Sequence, residues 1–492
     1  MTILQRSFDQ FPDLLAVQRK HPQRYPFLLE SVAHCNTAAN TGEQPQSSWD
    51  ILFAFPQQTL KLDANGKISG DYPAGSLNSP DFLDHLDNWW QQEYVTEDRS
   101  ETLPFVGGWF LYLGYELAGQ IEPVIQLPEI RNHQRPQAMA VRCPAAILRD
   151  RTRQRTIVVC EENSSDYLDI MLSDLQPFVA GVTHGLDGGI KNSIPAISMT
   201  DFHEEPAEQF LNAVKRIKSY IREGDIFQVN LSRCWKGQLN ADMGASDLYA
   251  SLRRHNPAPF AGLCIQEDWA IISSSPERLV RIDRDRHVET RPIAGTSPRR
   301  ADIDGDKKLS EDLLQHPKER AEHIMLIDME RNDLGRVCRA GSIEVNELMV
   351  LESYPHVHHI VSNVRGHLRN EVSPGDVIRA VFPGGTITGC PKVRCMEIIA
   401  ELEQDERGPY TGSMGYLNCD GSMDLNILIR SLTLTGRDLN LRAGAGIVAD
   451  SIPARELAET RAKARGLLLA LGITESGHDA DQWHTHDADQ CA

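Results

Sequence analysis

The sequence has no apolar run long enough to span a membrane; the best candidates, around 104–119 and 466–471, are broken by glycine or too short. Its opening residues, MTILQRSFDQF, lack a basic stretch followed by an apolar one, so no secretory leader is expected. The ten cysteines are scattered, and no two stand in a CxxC pair. That argues against a zinc site or a disulfide frame and for reduced thiols in the cytoplasm. Basic residues are in deficit: 50 Lys and Arg against 69 Asp and Glu leave a net charge of −19. A surface of that sign repels phosphate backbones and anionic lipid, which argues against nucleic acid and membranes as partners. An anionic small substrate would need a local basic site or a metal ion.

What is present is a globular composition, 41% hydrophobic and 24% charged over 492 residues, enough for two or three domains at roughly 150 residues each. The first half reads as strands and loops: Trp49–Phe55, a bent aromatic strand over Phe105–Tyr115, and a strand pair over Ala140–Asp150 and Arg155–Cys160. Gly181–Ile197 is glycine-rich and without period, which marks a boundary. In the second half Phe210, Val214, Ile217 and Ile221 recur at helical spacing until Gly224. Strands are expected at Ile226–Trp235, Leu263–Ser274 and Leu279–Asp283, then a turn-rich Arg291–Arg300. Helices are expected at Pro317–Cys338, Pro391–Glu403 and Ala454–Leu471, and a strand with a Gly-Ala-Gly interruption at Leu439–Val448. The tail repeats HDADQ at His478–Gln482 and His486–Gln490 and is too polar to build a core, so disorder is expected there.

Glu456, Glu459 and Lys463, three and four apart, share one face of the last helix. Alone, that pattern describes a solvated charged stripe. Two features add chemistry. The helix follows Gly444-Ala445-Gly446, where backbone N–H groups can approach an anion, and Glu319 and Glu322 form a second acidic pair on another helix. Carboxylates from two helices suit a hard divalent cation such as Mg2+. Gly384-Gly385-Thr386 ahead of a helix is a weak anion cradle, matching neither a Walker loop nor a dinucleotide fingerprint. Glu277, in Ser-Pro-Glu at a strand end, is a candidate general acid, although alone the pattern reads rather as an exposed turn glutamate. Of His356, His358 and His359, the first two face one way along a strand and the third the other; one is expected at a site and two in structural roles. These residues suggest a Mg2+-dependent α/β enzyme binding a small anion, and leave the reaction open.

The segments GDIFQVNLSR, SSSPERLV, RPIAGTSPR, RAEHIMLIDMERNDLGRV, YPHVHHIVS, FPGGTITGCPKVRCMEII, LRAGAGIVADS and ELAETRAKA occur in this order. Together they resemble the chorismate-utilising enzymes, which include anthranilate synthase component I, aminodeoxychorismate synthase component I, isochorismate synthase and salicylate synthase. The resemblance implies an α+β fold of the anthranilate synthase component I type, a β-sandwich core with helices packed outside. It implies an N-terminal region over 1–182, a linker over 183–200, a chorismate-binding catalytic domain over 201–472 and a disordered tail over 473–492. It makes Glu322 and Glu459 Mg2+ ligands, with Glu456 nearby, and assigns Lys463 and the amides of Gly444, Ala445 and Gly446 to the ring carboxylate of chorismate. Arg430 and Tyr410 match positions that bind the enolpyruvyl carboxylate. Glu277 matches the acid that assists departure of the C4 hydroxyl, His359 the histidine beside that hydroxyl, and Gly295, Thr296 and Thr386 line the pocket.

Gln228 stands where family members that add water carry a lysine base. An amide cannot deprotonate water, so the resemblance implies ammonia as nucleophile, supplied by a glutamine amidotransferase subunit. Ala294, in PIAGT, is the anthranilate synthase form; aminodeoxychorismate synthases typically carry a lysine there, and an alanine methyl is no nucleophile. QVNL, NPAPF, VHH, PGGTITG, GIVADS and WDILFAF instead resemble the aminodeoxychorismate branch. The weight of motifs implies 4-amino-4-deoxychorismate as product, for 4-aminobenzoate and folate synthesis. Anthranilate formation is the alternative, and a non-catalytic chorismate-binding relic a second one. The family's tryptophan pocket is matched in part by Glu30, Ser31, Trp49, Pro259 and Phe260, so any tryptophan is expected to be structural or absent.

Overall fold

Segments such as WDILFA (Trp49–Ala54), GWFLYL (Gly108–Leu113) and AAILRD (Ala145–Asp150) are buried at nearly every position, so both faces of their sheets must be covered. The computed structural model describes residues 2–33, 49–73, 75, 77–96, 103–179, 197–299, 302–354 and 357–473, and shows how. Its strands form two large antiparallel sheets of twelve and eleven strands. The first runs from Ile3–Phe8 at one edge, through Trp49–Ala54, Phe27–Glu30, Phe260–Ile265, Trp269–Ser275, Ser431–Thr435 and Asp438–Ile447, to Gln228–Leu239 and Met199–Glu204. The second begins with Ile293–Pro298, Val357–His367, His287–Thr290 and Arg278–Ile282. It continues through Met423–Asn426 and Ser413–Asn418 to Gly108–Leu113 and Ala138–Cys143.

The sheets pack face to face. Phe27 and Phe53 from the first meet Phe110, Met139 and Met414 from the second in one buried cluster. Phe27 stacks on Phe110 with ring centroids 4.1 Å apart, and Phe53 meets Phe110 edge-on at 5.5 Å. Helices cover the outer faces. Leu14–Lys20, Ser165–Val179, Ala245–His255 and Pro453–Ala470 bury apolar stripes on the first sheet. Phe82–Glu93, Pro317–Gly335 and Pro374–Val381 do so on the second. This is the α+β sandwich with outer helices that the sequence implied. No helix among the described residues is long and apolar enough to cross a membrane.

The expected division near residue 183 is not a division between sheets. Phe27–Glu30 pairs with Phe260–Ile265, and Gly108–Leu113 with Ser413–Asn418, so both sheets interleave strands of both halves. Most of the expected linker, and the tail from 474, lie outside the described residues. Two local expectations are corrected. Gly444–Gly446 does not interrupt its strand: Asp438–Ile447 pairs in unbroken register with Gln228–Leu239, because glycine's missing side chains leave the backbone ladder intact. Arg291–Arg300 is not a turn. Ile293–Pro298 is a strand whose register shifts at Gly295, a bulge that the positive φ of 70° there allows glycine to make.

The Phe27–Phe110 stack leads to a first prediction. Phe110→Ala removes a fully buried ring from the inter-sheet core and should destabilise the fold by about 3–5 kcal/mol, read as a lower urea midpoint.

Candidate active site

Glu277 lies just after Trp269–Ser275, where the chain leaves the first sheet and enters the second. Its carboxyl is 6% exposed. Burial pushes its pKa up to about 7, against the opposing pull of the Thr386 hydroxyl, the Ile293 backbone and the charges of Lys463 and Arg430. Thr386 Oγ1 donates to Glu277 Oε1 at 2.9 Å. The backbone of Glu277 is fixed as well: its N–H donates to Ser275 Oγ at 3.2 Å and its carbonyl accepts from Ile427 at 3.0 Å. A rigid carboxyl that titrates near neutrality is suited to protonate a leaving oxygen.

His359 lies on the strand paired with Ile293–Pro298, opposite Thr296. It is 2% exposed. Burial and the positive charge of Arg430 lower its pKa to about 3, while a hydrogen bond to the Gly295 backbone opposes them. The ring is therefore neutral, with one nitrogen donating to that backbone. His358 faces the opposite way, its ring nitrogens on Ser353 Oγ at 2.8 Å and Asp306 at 3.1 Å, a structural role. His356 and the side chain of Thr296 lie outside the described residues. Ala294, opposite Ile360, is 9% exposed. Arg430 has a left-handed backbone, φ 51°, and its guanidinium makes no hydrogen bond among the described residues.

The opposite wall is the ladder between Gln228–Leu239 and Asp438–Ile447. Asn230 N–H turns away to Thr388, and Ser232 N–H to Glu403. By antiparallel alternation their partners Gly446 and Gly444 also turn their backbone groups outward, while Ala445 spends its own on Leu231. Gly444 O accepts from Lys463 Nζ at 3.1 Å. The N–H groups of Gly444 and Gly446 thus face out of the ladder, and that of Ala445 does not. Side chains crowd this strip. A Cβ on Gly444 would lie 2.6 Å from Asn230 Oδ1 and 2.7 Å from the Tyr410 hydroxyl; one on Gly446 would lie 2.5 Å from Gln228 Nε2. The Tyr410 hydroxyl has no hydrogen-bond partner among the described residues. Beneath the strip Glu403 is shared by Arg407 at 2.6 Å and Arg442 at 2.9 Å, with all three side chains buried. Two cations on one carboxylate leave a net positive floor suited to an anionic ligand.

Glu459 pairs with Lys463 at 2.7 Å one turn along Pro453–Ala470, and Glu456 is 6% exposed on that helix. Glu322 is half-buried on Pro317–Gly335, and Glu319 Oε2 would lie 3.1 Å from a Cβ on Gly295. These are oxygen donors only, the chemistry a hard divalent cation takes. They are not gathered: among the described residues the only trio of potential ligands with donor atoms within 4.8 Å of one another is Asp283, Asp285 and His287. That trio sits at the far end of Arg278–Ile282 from Glu277. Of the expected tryptophan contacts, Glu30, Trp49, Pro259 and Phe260 line one cavity of about 320 Å³. Ser31 instead donates its hydroxyl to the Pro259 carbonyl at 3.0 Å and its N–H to Asp50 at 2.8 Å. The Glu30 carboxylate is held by Arg149 at 3.1 Å and Arg253 at 3.3 Å.

Sequence reasoning missed the Arg407–Glu403–Arg442 floor: Glu403 and Arg407 are only four residues apart, but Arg442 joins them from a separate strand. It also missed Glu330, buried beside Gly385 and pushed up by burial and by Asp333, although MERNDLG was in view. Asn230 entered only as part of a motif.

A buried acid, a neutral histidine and a cation-rich, glycine-lined strip are groups suited to a small anionic substrate. Residues 30–469 match the family described as chorismate binding enzyme, and the chain belongs to it. An anthranilate synthase component 1 from Thermus thermophilus is 39% identical over 455 residues, 92% of this chain and 93% of that one. An aminodeoxychorismate synthase component 1 from Bacillus subtilis is also 39% identical, over 78% of this chain and 81% of that one. The solved anthranilate synthase component I from Streptococcus pneumoniae superposes with a TM-score of 0.74 at 32% identity, covering 86% of this chain and 93% of that one. The protein is a chorismate-utilising enzyme of the anthranilate synthase component I and aminodeoxychorismate synthase kind.

Because burial raises Glu277, its proton is held below about pH 7 and lost above it. At fixed free ammonia, kcat/KM for chorismate should therefore fall about tenfold per pH unit on the alkaline side of that value. Glu277→Gln should lower kcat by about a hundred- to ten-thousandfold and abolish that limb.

Proposed function

We propose that the chain aminates chorismate with ammonia, giving 4-amino-4-deoxychorismate and water on the route to 4-aminobenzoate and folate. The observation that carries amination is Gln228: a buried amide whose Oε1 has no hydrogen-bond partner among the described residues stands where a water-adding enzyme needs a base. The Gly444 and Gly446 amides and Lys463 bind one carboxylate of chorismate, and Tyr410 and Arg430 bind the other. Protonated Glu277 gives its proton to the C4 oxygen as the C–O bond breaks, and the neutral His359 ring accepts a hydrogen bond from that hydroxyl and orients it. The aminodeoxychorismate motifs favour C4 as the site of the new C–N bond. Ala294 favours the second reading, anthranilate, because no amine at that position can form an adduct with the ring.

Glu322 and Glu459, with Glu456, are the residues that would hold Mg2+, and binding would have to draw together carboxylates that stand apart on two helices. When bound, the ion supplies charge neutralisation for the ring carboxylate. The ammonia comes from a separate glutaminase subunit. Burial pushes up the pKa of every described cysteine thiol, so none is poised as a glutaminase nucleophile.

Ammonium with Mg2+ should support chorismate consumption by the isolated chain, while glutamine alone should not. Mass and absorbance of the product distinguish the two readings, and anthranilate as sole product would replace the first by the second. Glu322→Gln and Glu459→Gln should each raise the Mg2+ concentration for half-maximal rate by at least about tenfold, since each removes one anionic oxygen from a hard-cation site. Unchanged Mg2+ dependence in the double variant would remove the metal assignment.

A further inference from the structure

The side chains assigned to chorismate all come from the half of the chain beyond the linker, yet one carboxylate of the first half reaches the turn that carries Tyr410. Glu116 lies in the single helical turn Tyr115–Leu117, just after the strand Gly108–Leu113, and is 6% exposed. Its Oε1 accepts the backbone N–H of Arg407 at 2.8 Å and that of Gly408 at 3.1 Å. In return the Tyr115 N–H donates to the Gly408 carbonyl at 2.8 Å. Burial raises the Glu116 pKa, opposed by the Gly408 N–H and then by the charge of Arg135. A carboxylate buried at that cost is spent on the backbone of one turn. The turn itself is strained: Gly408 and Thr411 are both left-handed, with φ of 59° and 62°, and a β-branched residue seldom adopts that conformation. Such strain persists only where the surroundings hold it. Past Tyr410 the chain is tied to Leu428 in both directions, Thr411 N–H donating to Leu428 O and Leu428 N–H to Gly412 O, each at 2.8 Å. Tyr410 thus stands between two anchors, Glu116 before it and Leu428 after it. The Arg407 guanidinium lies 4.9 Å from the Tyr115 ring and 5.6 Å from the Tyr410 ring, joining the two. So anchored, the Tyr410 hydroxyl stands over Gly444, where a Cβ would lie 2.7 Å from it.

We propose that Glu116 is a positioning residue: it holds the 407–412 turn so that the Tyr410 hydroxyl meets a carboxylate of chorismate. This rests on the carboxylate contact proposed above for Tyr410 and adds the residue that sets it. An O–H···O bond to a carboxylate spans about 2.5–3.0 Å and weakens steeply when bent. Without Glu116 the N–H groups of Arg407 and Gly408 lose their acceptor, the strained turn relaxes, and the hydroxyl leaves that range. The loss falls on chorismate binding. Ammonia makes no use of the hydroxyl, so its binding stays as it was.

The test uses the full chain with ammonium chloride, Mg2+ and chorismate, and follows chorismate consumption, which is blind to the product formed. Tyr410→Phe should raise the KM for chorismate about tenfold, the loss of one hydrogen bond to a charged group. Glu116→Leu removes both acceptors and should raise it by a similar factor, with the KM for ammonium changed by less than about twofold. Glu116→Gln keeps an acceptor oxygen at the same reach and should hold the chorismate KM within about threefold of the unaltered chain. Because Glu116 acts through Tyr410, adding Glu116→Leu to Tyr410→Phe should raise the chorismate KM by less than about twofold further. If the leucine chain does not fold, Glu116→Asp, which withdraws the acceptor by one methylene, takes its place in both backgrounds with a smaller rise in the same pattern. A chorismate KM that neither Glu116→Leu nor Glu116→Asp moves, while Tyr410→Phe raises it, would overturn the positioning role and leave the Tyr410 contact standing. So would effects that multiply in the double variant, which would mark Glu116 as structural. An unaltered chorismate KM in Tyr410→Phe would remove the carboxylate contact and the positioning role together.

Discussion

The pairing of Gln228–Leu239 with Asp438–Ile447 is the constraint on which the site depends. Ten residues stand in unbroken register. A slip by one residue would turn Gln228, Asn230 and Ser232 to the opposite face and replace glycines by Ala443 and Ala445. In the observed register a strip without side chains runs beneath two amides and a tyrosine, which approach its backbone more closely than any Cβ would allow. The same register buries Arg442 beside Ser232 and completes the floor with Glu403 and Arg407. The helix that brings Lys463 back onto Gly444 follows this strand after a short turn, so its reach is set by the strand's end. Glu277 then needs only the crossing from one sheet to the other to arrive opposite.

The electrostatics of the site run against those of the chain. The whole molecule carries −19, yet the site concentrates Lys463, Arg430, Arg407 and Arg442. Of these, Lys463 and Arg430 pull Glu277 toward ionisation, and burial outweighs them, lifting it from 4.5 to about 7. Binding a dianion adds negative charge beside the acid and neutralises the cations that oppose its protonation. Substrate binding thereby strengthens the protonated form, so the group becomes a better-populated acid when its proton is required. His359 is treated oppositely: held neutral by the same burial and by Arg430, it adds no further cation.

What the sequence revealed follows from the range of each signal. Helices with a 3.6-residue stripe and a stop were legible to within a residue or two, as with Ala207–Glu223 ending at Gly224, whose φ of 85° closes the helix. Strands were found, but not their breaks: Leu263–Ser274 is two strands reversing at the exposed Glu267-Asp268, because an apolar run carries no record of reversal. The interleaving of the halves was invisible, since pairing between residues some 230 positions apart leaves no local mark. At the site, single residues with a matching motif were placed. Relations between residues, such as the floor of two arginines on Glu403 or the shared orphan status of Gln228 and Asn230, needed coordinates. Ala445 shows the limit most sharply: three consecutive backbone N–H groups looked equivalent in sequence, and strand alternation makes only the outer two outward-facing.

The choice between the two aminated products has to be made on the nucleophile side of the pocket. Departure of the C4 hydroxyl is common to both, so the roles proposed for Glu277, Thr386 and His359 are the same in either reading. The carboxylate contacts are likewise common, because the substrate is the same. What differs is where the nitrogen lone pair meets the ring, and the two residues that separate the readings are Gln228 and Ala294. Gln228 is compatible with either outcome and Ala294 only withholds an alternative nucleophile. The two stand on different walls, Gln228 on the strand that carries the glycine ladder and Ala294 on the strand paired with that of His359. The two readings therefore differ in which carbon of the ring is turned toward the Gln228 wall, a matter of how the substrate is oriented and not of which acid serves it.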